Sequence, residues 1–269
     1  MVSERLVELN LFTFITKNSA DYADFNHKYC EKLKSWKHNI NYYCIESVNN
    51  DKLPVNWECL ERVDVEHWHN CLNHAEAMHR ALKHCREYNV FIDADVCILH
   101  KNWDEVILNK LQKYDVWGTA FDDNAKQYNR FPNVFLFCFR GQQNWDFNPI
   151  LQKPNESPIR LKLDACDCKK FGKTKDNNLL KCDTGVLLPD YANEHGLTSG
   201  CIKPCEFNNR QLPYLDLSMY NKCKEKPTHM AEWHYKGKVF CTHKQASRNH
   251  PLNGEWGDIW KRRIEKYVQ

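Results

Sequence analysis

A chain of 269 residues with 42% apolar and 13% aromatic residues can bury the core of one large α/β domain or two small ones, which excludes an intrinsically disordered protein. A formal net charge of +3 with 27% charged residues gives no argument for nucleic acid or an anionic membrane as partner, although a mildly basic surface suits an anionic small substrate. No apolar run approaches the roughly 20 residues that span a bilayer, and 6–12 is too short and too interrupted for a secretory apolar segment, so a soluble cytoplasmic protein without a transmembrane segment is the expectation.

Residues 6–16 (LVELNLFTFIT) are apolar and β-favouring, and predict a buried first strand. Asn18 to Asp21 carry helix-start chemistry, and Tyr22, Phe25, Tyr29 and Leu33 then recur at helical spacing to about residue 36. Residues 40–46 (INYYCIE) predict a second strand, and 47–51 a polar turn. The stretch 52–70 has no periodicity that selects an element. Beyond it, Leu72, Ala75, Met78, Leu82 and Cys85 line one helix face, residues 88–92 predict a strand, and Asn102 caps a helix reaching about residue 114. Strands follow at 115–121 and 133–140 (NVFLFCFR). From about 152 the sequence turns polar; 185–188 reads as a short strand and 256–267 as a closing helix. Strand and helix in alternation predict an α/β fold whose ligands sit at the carboxyl ends of the strands. One domain is expected, with 1–125 as one half and 126–269 as an elaborated second half carrying a cysteine-rich segment at 166–223.

The predicted strand at 88–92 runs straight into Asp93-Ala94-Asp95. Carboxylates at the end of a core strand are costly unless compensated. Residues i and i+2 of a strand face one side, so both can converge on one ion. Two carboxylates together with substrate phosphates suit Mg²⁺ or Mn²⁺. The alternative is a plain turn whose aspartates cap the loop.

An alanine-bearing helix, a short gap, the segment FIDADV and a tryptophan-bearing helix together resemble the GT-A fold glycosyltransferases, family-2-like members above all. The resemblance spans roughly 6–125 and 180–250. It implies a mixed, mainly parallel, Rossmann-like sheet flanked by helices. It also implies a D-x-D motif that binds a divalent metal and the diphosphate of a nucleotide-sugar donor, whose sugar passes to a glycan or other hydroxyl acceptor, with inversion. On that reading Asp95 is the direct metal ligand and Asp93 contacts the metal or the ribose. Thr16 lies near the nucleotide at the end of the first strand, Glu46 meets the base where Asp is commoner, and the start of the helix at 72–86 brings His74 toward the nucleotide. The late segment VFCTHKQASR (239–248) resembles the family's closing strand: His243 completes the metal site, and Lys244, Ser247 and Arg248 close on the diphosphate. Asp216, in YLDLSMY with Leu215 where Glu is usual, takes the place of the general base, needed because a neutral hydroxyl is a poor nucleophile; Asp183 is the second candidate.

Of the fourteen cysteines, Cys30, Cys44, Cys59, Cys71, Cys85, Cys97, Cys138 and Cys241 sit singly among apolar or helical residues and read as core. Cys166, Cys168, Cys182, Cys201, Cys205 and Cys223 are compatible with a structural Zn²⁺, with disulfides, or with unlinked thiols. His67 and His69, an H-x-H pair, together with His74 and His79 also invite a zinc reading, but no carboxylate-rich motif accompanies them, and surface histidines or supporting histidines around the site are the favoured reading. Two other functions stay open at this point. One is a GT-A-shaped protein that binds nucleotide or glycan without turnover, which the loss of Glu at 215 favours. The other is a zinc-stapled nucleic-acid-binding protein, which the small net charge argues against.

Overall fold

The computed structural model describes residues 6–47, 52–64, 70–120, 131–151, 159–160, 184–185, 187–202, 231–244 and 251–268. Strand β1 (Glu8–Ile15) is buried at every position after its first, as a strand covered on both faces must be. It pairs in parallel with β2 (Asn39–Glu46) on one side and with β4 (Tyr88–Asp93) on the other. The full sheet has the order β10-β6-β7-β4-β1-β2-β3, with β3 at Glu58–Arg62, β6 at Val116–Ala120, β7 at Pro132–Arg140 and β10 at Ser199–Ile202. Only β7 runs against its neighbours, antiparallel to both β4 and β6. The fold is therefore α/β, with a mixed and mainly parallel sheet, as the resemblance implies.

The two faces of the sheet differ in chemistry because alternate residues face opposite ways. Leu9, Leu11, Val90, Ile92 and Leu136 join helix α1 (Ala20–Leu33) and helix α3 (Trp103–Leu111) in one cluster. Phe12, Phe14, Phe91, Phe137 and Phe139 turn to the other face, where helix α2 (Asn70–Leu82) covers them with Ala75, Met78 and Ala81, and helix α4 (Leu188–Glu194) with Leu188 and Ala192. Phe91 meets Phe12, Phe14 and Phe139 edge to face at 5.2–5.4 Å, the arrangement favoured by the ring quadrupole. Between β6 and β7 the backbones come so close that a Cβ on Gly118 would lie 2.0 Å from the carbonyl oxygen of Leu136.

A second sheet of three strands, β11-β12-β5, is built from β5 (Val96–Ile98), β11 (Ala231–Tyr235) and β12 (Lys238–His243). Against it lies helix α5 (Glu255–Val268), whose Trp260 and Ile264 pack with Tyr22, Tyr29, Cys97 and Leu99. A two-stranded pair, β8 (Ile150–Leu151) with β9 (Ile159–Arg160), completes the described strands.

Some expectations are corrected. The featureless stretch 52–70 contains the edge strand β3. The described residues of 185–188 form no strand: Gly185 adopts φ +85° in a turn, Leu187 lies in a turn, and α4 begins at Leu188 with Pro189 in its first turn. Asn102 precedes α3 in the left-handed region and makes no side-chain cap. Among the cysteines expected in the core, Cys30, Cys44, Cys85, Cys97, Cys138 and Cys241 are buried, but Cys59 is exposed on β3. Burial pushes the thiols of Cys97, Cys138 and Cys241 far up, so they stay protonated and inert.

Candidate metal centre

Parallel register brings the carboxyl ends of three strands to one edge. Phe14 lies opposite Asp93, and Ile15 opposite Glu46. Thr16, Glu46 and Asp93 thus share the edge at which such sheets bind ligands. Ala94 and Asp95 form a tight turn into β5, which leaves the main sheet. β5 then pairs antiparallel with β12, with Val96 opposite His243, and the Lys244 N–H donates to the Asp95 carbonyl at 2.9 Å. This ladder carries a histidine from far along the chain to the aspartates. His243 Nε2 is 3.2 Å from Asp95 Oδ1. One ligand atom each from Asp93, Asp95 and His243 lies within 4.8 Å of the others.

The trio is held by packing. His243 is buried, with its ring 4.2 Å from that of Phe135 and stacked at 6.5 Å on Trp233. Trp233 is itself fixed by a hydrogen bond from its indole N–H to the Ala120 carbonyl at 2.8 Å. On the other side, His74 Nε2 stands 3.2 Å from Asp93 Oδ1, and the His74 ring meets Phe14 edge-on at 5.3 Å. That approach is not aligned as a hydrogen bond: Asp93 Oδ1 is buried and accepts none, and His243 Nδ1 is likewise buried without one. Such atoms cost free energy unless a further group satisfies them. Two carboxylates and an imidazole converging on one point are a donor set that fits a divalent ion.

The other predicted residues fall differently. Thr16 holds a local turn: its N–H donates to Ser19 Oγ at 2.7 Å, and the Ser19 hydroxyl donates back to the Thr16 carbonyl at 2.8 Å. Glu46 is buried and already paired with Arg62 of β3. Lys244 is fully buried. Burial pulls its ammonium down while Asp95 opposes the shift, and its Nζ stands 5.9 Å from the ring of Trp256. Tyr22, also buried, is pushed up by burial and by Asp95, so its phenol stays protonated. His234, a neighbouring imidazole that could have served as ligand, turns instead to Glu232. Asp183, Asp216, Ser247, Arg248, His67 and His69 lie outside the described residues, as do Cys166, Cys168, Cys182, Cys205 and Cys223; Cys201 begins the second half of β10.

Two participants escaped the sequence reading: Arg62, within an unassigned stretch, and Glu232, whose alternation with apolar neighbours in AEWHY was the sole signal. A cavity of about 520 Å³ opens between α2 and the segment after β7, lined by His79, Lys83, Gln143, Asn144 and Asp146; it does not include Asp93, Asp95 or His243. Among the described residues no helix is long and apolar enough to cross a membrane.

No protein-family profile matches the chain, and no curated protein matches it. Among solved structures it is similar to the mannosyltransferase PcManGT from Pyrobaculum calidifontis in complex with GDP-Man and Mn²⁺, at 13% identity and a TM-score of 0.36 over 49% of this chain and 44% of that one. It is also similar to a protein of Desulfovibrio desulfuricans G20 provisionally assigned as a nucleotide-diphospho-sugar transferase, at 12% identity and a TM-score of 0.39 over 96% and 97%. S. aureus TarS 1-349 matches at 13% identity and a TM-score of 0.34 over 49% and 47%. The chain thus spans less than half the length of two of these structures.

Proposed function

We propose that the chain is a metal-dependent glycosyltransferase that moves a sugar from a nucleotide-diphosphate donor to a hydroxyl acceptor. The observation that carries this reading is the convergence of Asp93, Asp95 and His243 within 4.8 Å at the carboxyl edge of the parallel strands. A divalent ion, Mn²⁺ or Mg²⁺, bound to these three side chains would neutralise the oxygens of a diphosphate and so make it a better leaving group. Asp95 and His243 are the more enclosed ligands, and Asp93, with His74 beside it, faces the nucleotide side. Glu46, held by Arg62, borders the same edge and is the candidate for contact with the base, while Thr16 shapes the backbone near it. The buried Lys244 contributes positive charge near Asp95 from within the fold. Ser247 and Arg248 are proposed to close on the diphosphate, Asp216 to deprotonate the acceptor with inversion, and Asp183 to be its alternate.

The test is a thermal-shift panel of nucleotide sugars with and without Mn²⁺, followed by donor hydrolysis. Mn²⁺-dependent shifts and turnover, both abolished by Asp95→Ala, are expected. The absence of a shift with every donor would sink the enzyme reading.

A further inference from the structure

One fully enclosed carboxylate of the described chain lies outside the metal centre. Glu232 of β11 is fully buried. Arg263 Nε lies 2.6 Å from its Oε1, the Tyr267 hydroxyl donates to the same oxygen at 2.8 Å, and His234 Nε2 stands 3.5 Å from its Oε2. Burial by itself would raise the pKa of this carboxyl; the contacts from His234, Arg263 and Tyr267 outweigh it and hold the group ionised. Arg263 and Tyr267 both belong to the second half of α5. The network therefore bolts that helix to the strand beside the one bearing His243.

β12 is also restrained by packing, with Phe240 and Cys241 in the core and His243 against Phe135 and Trp233, but its backbone pairing is short. Its ladder to β5 consists of three register pairs, with His243 in the last of them. On its far side β12 pairs only with β11, through a ladder broken by a register shift at Trp233 and His234. The β11–β12 hairpin thus takes part of its position from α5, through Glu232, and part from the core packing of Trp233, Phe240 and Cys241.

We propose that docking of α5 through the Glu232–Arg263 pair is thermodynamically coupled to metal binding at Asp93, Asp95 and His243. The inference rests on the metal reading above and goes beyond it. With the helix docked, β12 presents His243 beside Asp95. With the helix released, the hairpin shifts and the third ligand is lost. Coupling of this kind is reciprocal, so an ion that pins His243 must in turn hold α5.

The experiment uses the full chain and Mn²⁺ alone. Hydrogen exchange of 231–244 and 255–268 is followed with and without Mn²⁺, and Mn²⁺ affinity is measured by calorimetry. In the unaltered protein, Mn²⁺ is expected to slow exchange across α5, which supplies none of the three ligand side chains. Glu232→Gln and Arg263→Met should each weaken Mn²⁺ binding by about tenfold or more, as losses around metal ligands do. The double variant Glu232→Leu with Arg263→Met, which fills the space with apolar groups, should recover most of the affinity. If a single variant fails to fold, the exchange measurement on the unaltered protein still decides. Mn²⁺ binding that leaves the exchange of 255–268 unchanged overturns the coupling and spares the metal reading. A protein that binds no Mn²⁺ at all overturns both.

Discussion

Replacing Asp93 by asparagine should move the stability of the protein in opposite directions with and without metal. The ligand oxygens of Asp93 and Asp95 are no more than 4.8 Å apart, and the two side chains are only 17% and 9% exposed. Two unit charges at that separation repel by about 3.5 kcal/mol at an effective dielectric of ~20. Partial screening by water and the nearby imidazoles of His74 and His243 reduce this. Against it stands the loss of the His74–Asp93 contact, worth roughly 0–1 kcal/mol for a pair that is not hydrogen-bonded. Asparagine keeps the volume of aspartate, so no cavity opens. The metal-free Asp93→Asn protein should therefore be more stable than the unaltered one by about 1–2 kcal/mol. With Mn²⁺ at a hundred times its dissociation constant, the unaltered protein should gain about 2.7 kcal/mol and the variant almost nothing, so the ranking reverses. Urea denaturation in EDTA and in Mn²⁺ measures both differences. A variant less stable than the unaltered protein in EDTA, or one that keeps the full Mn²⁺ gain, would refute the reasoning.

Further outcomes follow from the same geometry. His243→Ala should abolish Mn²⁺ binding by calorimetry while keeping a cooperative melt, since β12 retains its backbone pairing on both sides. Glu232 titrates below its ordinary value of 4.5, so the stability it contributes is complete above that pH and fades as pH falls through its lower folded pKa. The stability gap between the unaltered protein and Glu232→Gln, measured by urea melts at successive pH values, should be widest near neutrality and close in acid. Gly118→Ala drives a methyl group to 2.0 Å from the Leu136 carbonyl oxygen and should cost about 2–3 kcal/mol or block soluble expression; a neutral effect in denaturant melts would contradict the close approach of β6 and β7. Trp233→Phe removes the buried hydrogen bond to the Ala120 carbonyl, a loss of about 1–3 kcal/mol readable in the same melts.

Much of this architecture was legible because it rests on local pattern. Buried strands such as β1 and β4 announce themselves by β-favouring runs rich in apolar residues, and α1, α2 and α5 by helical spacing. Asp93 and Asp95 were legible because acids directly after such a strand need a reason. His243 was reached only through resemblance; its proximity to Asp95 is a product of the β5–β12 ladder, and β5 is too short to declare itself. Other features depend on contacts that no window of sequence contains. β3 (ECLER) has no polar–apolar alternation, lies at an exposed edge and reads like a loop. Lys244 looks like a surface cation next to Thr242 and His243, yet tertiary packing encloses it. Glu232 needs Arg263, on another element, before it makes sense as a buried charge. Gly185 followed closely by Pro189 spells a turn into a helix, but the apolar residues between them read as a strand.

The antiparallel strand β7 sits between β4 and β6 in the sheet although it follows both in the chain. During vectorial synthesis, β4 and β6 emerge with the edges that will receive β7 still open. Two parted edges rich in Val, Phe, Ile and Trp are templates for pairing with other chains. A fragment cut near residue 125 would keep the aspartates and both open edges, so it should self-associate rather than work as a nucleotide-binding half. Any dissection of this protein into shorter pieces must carry 132–140 along with everything before it.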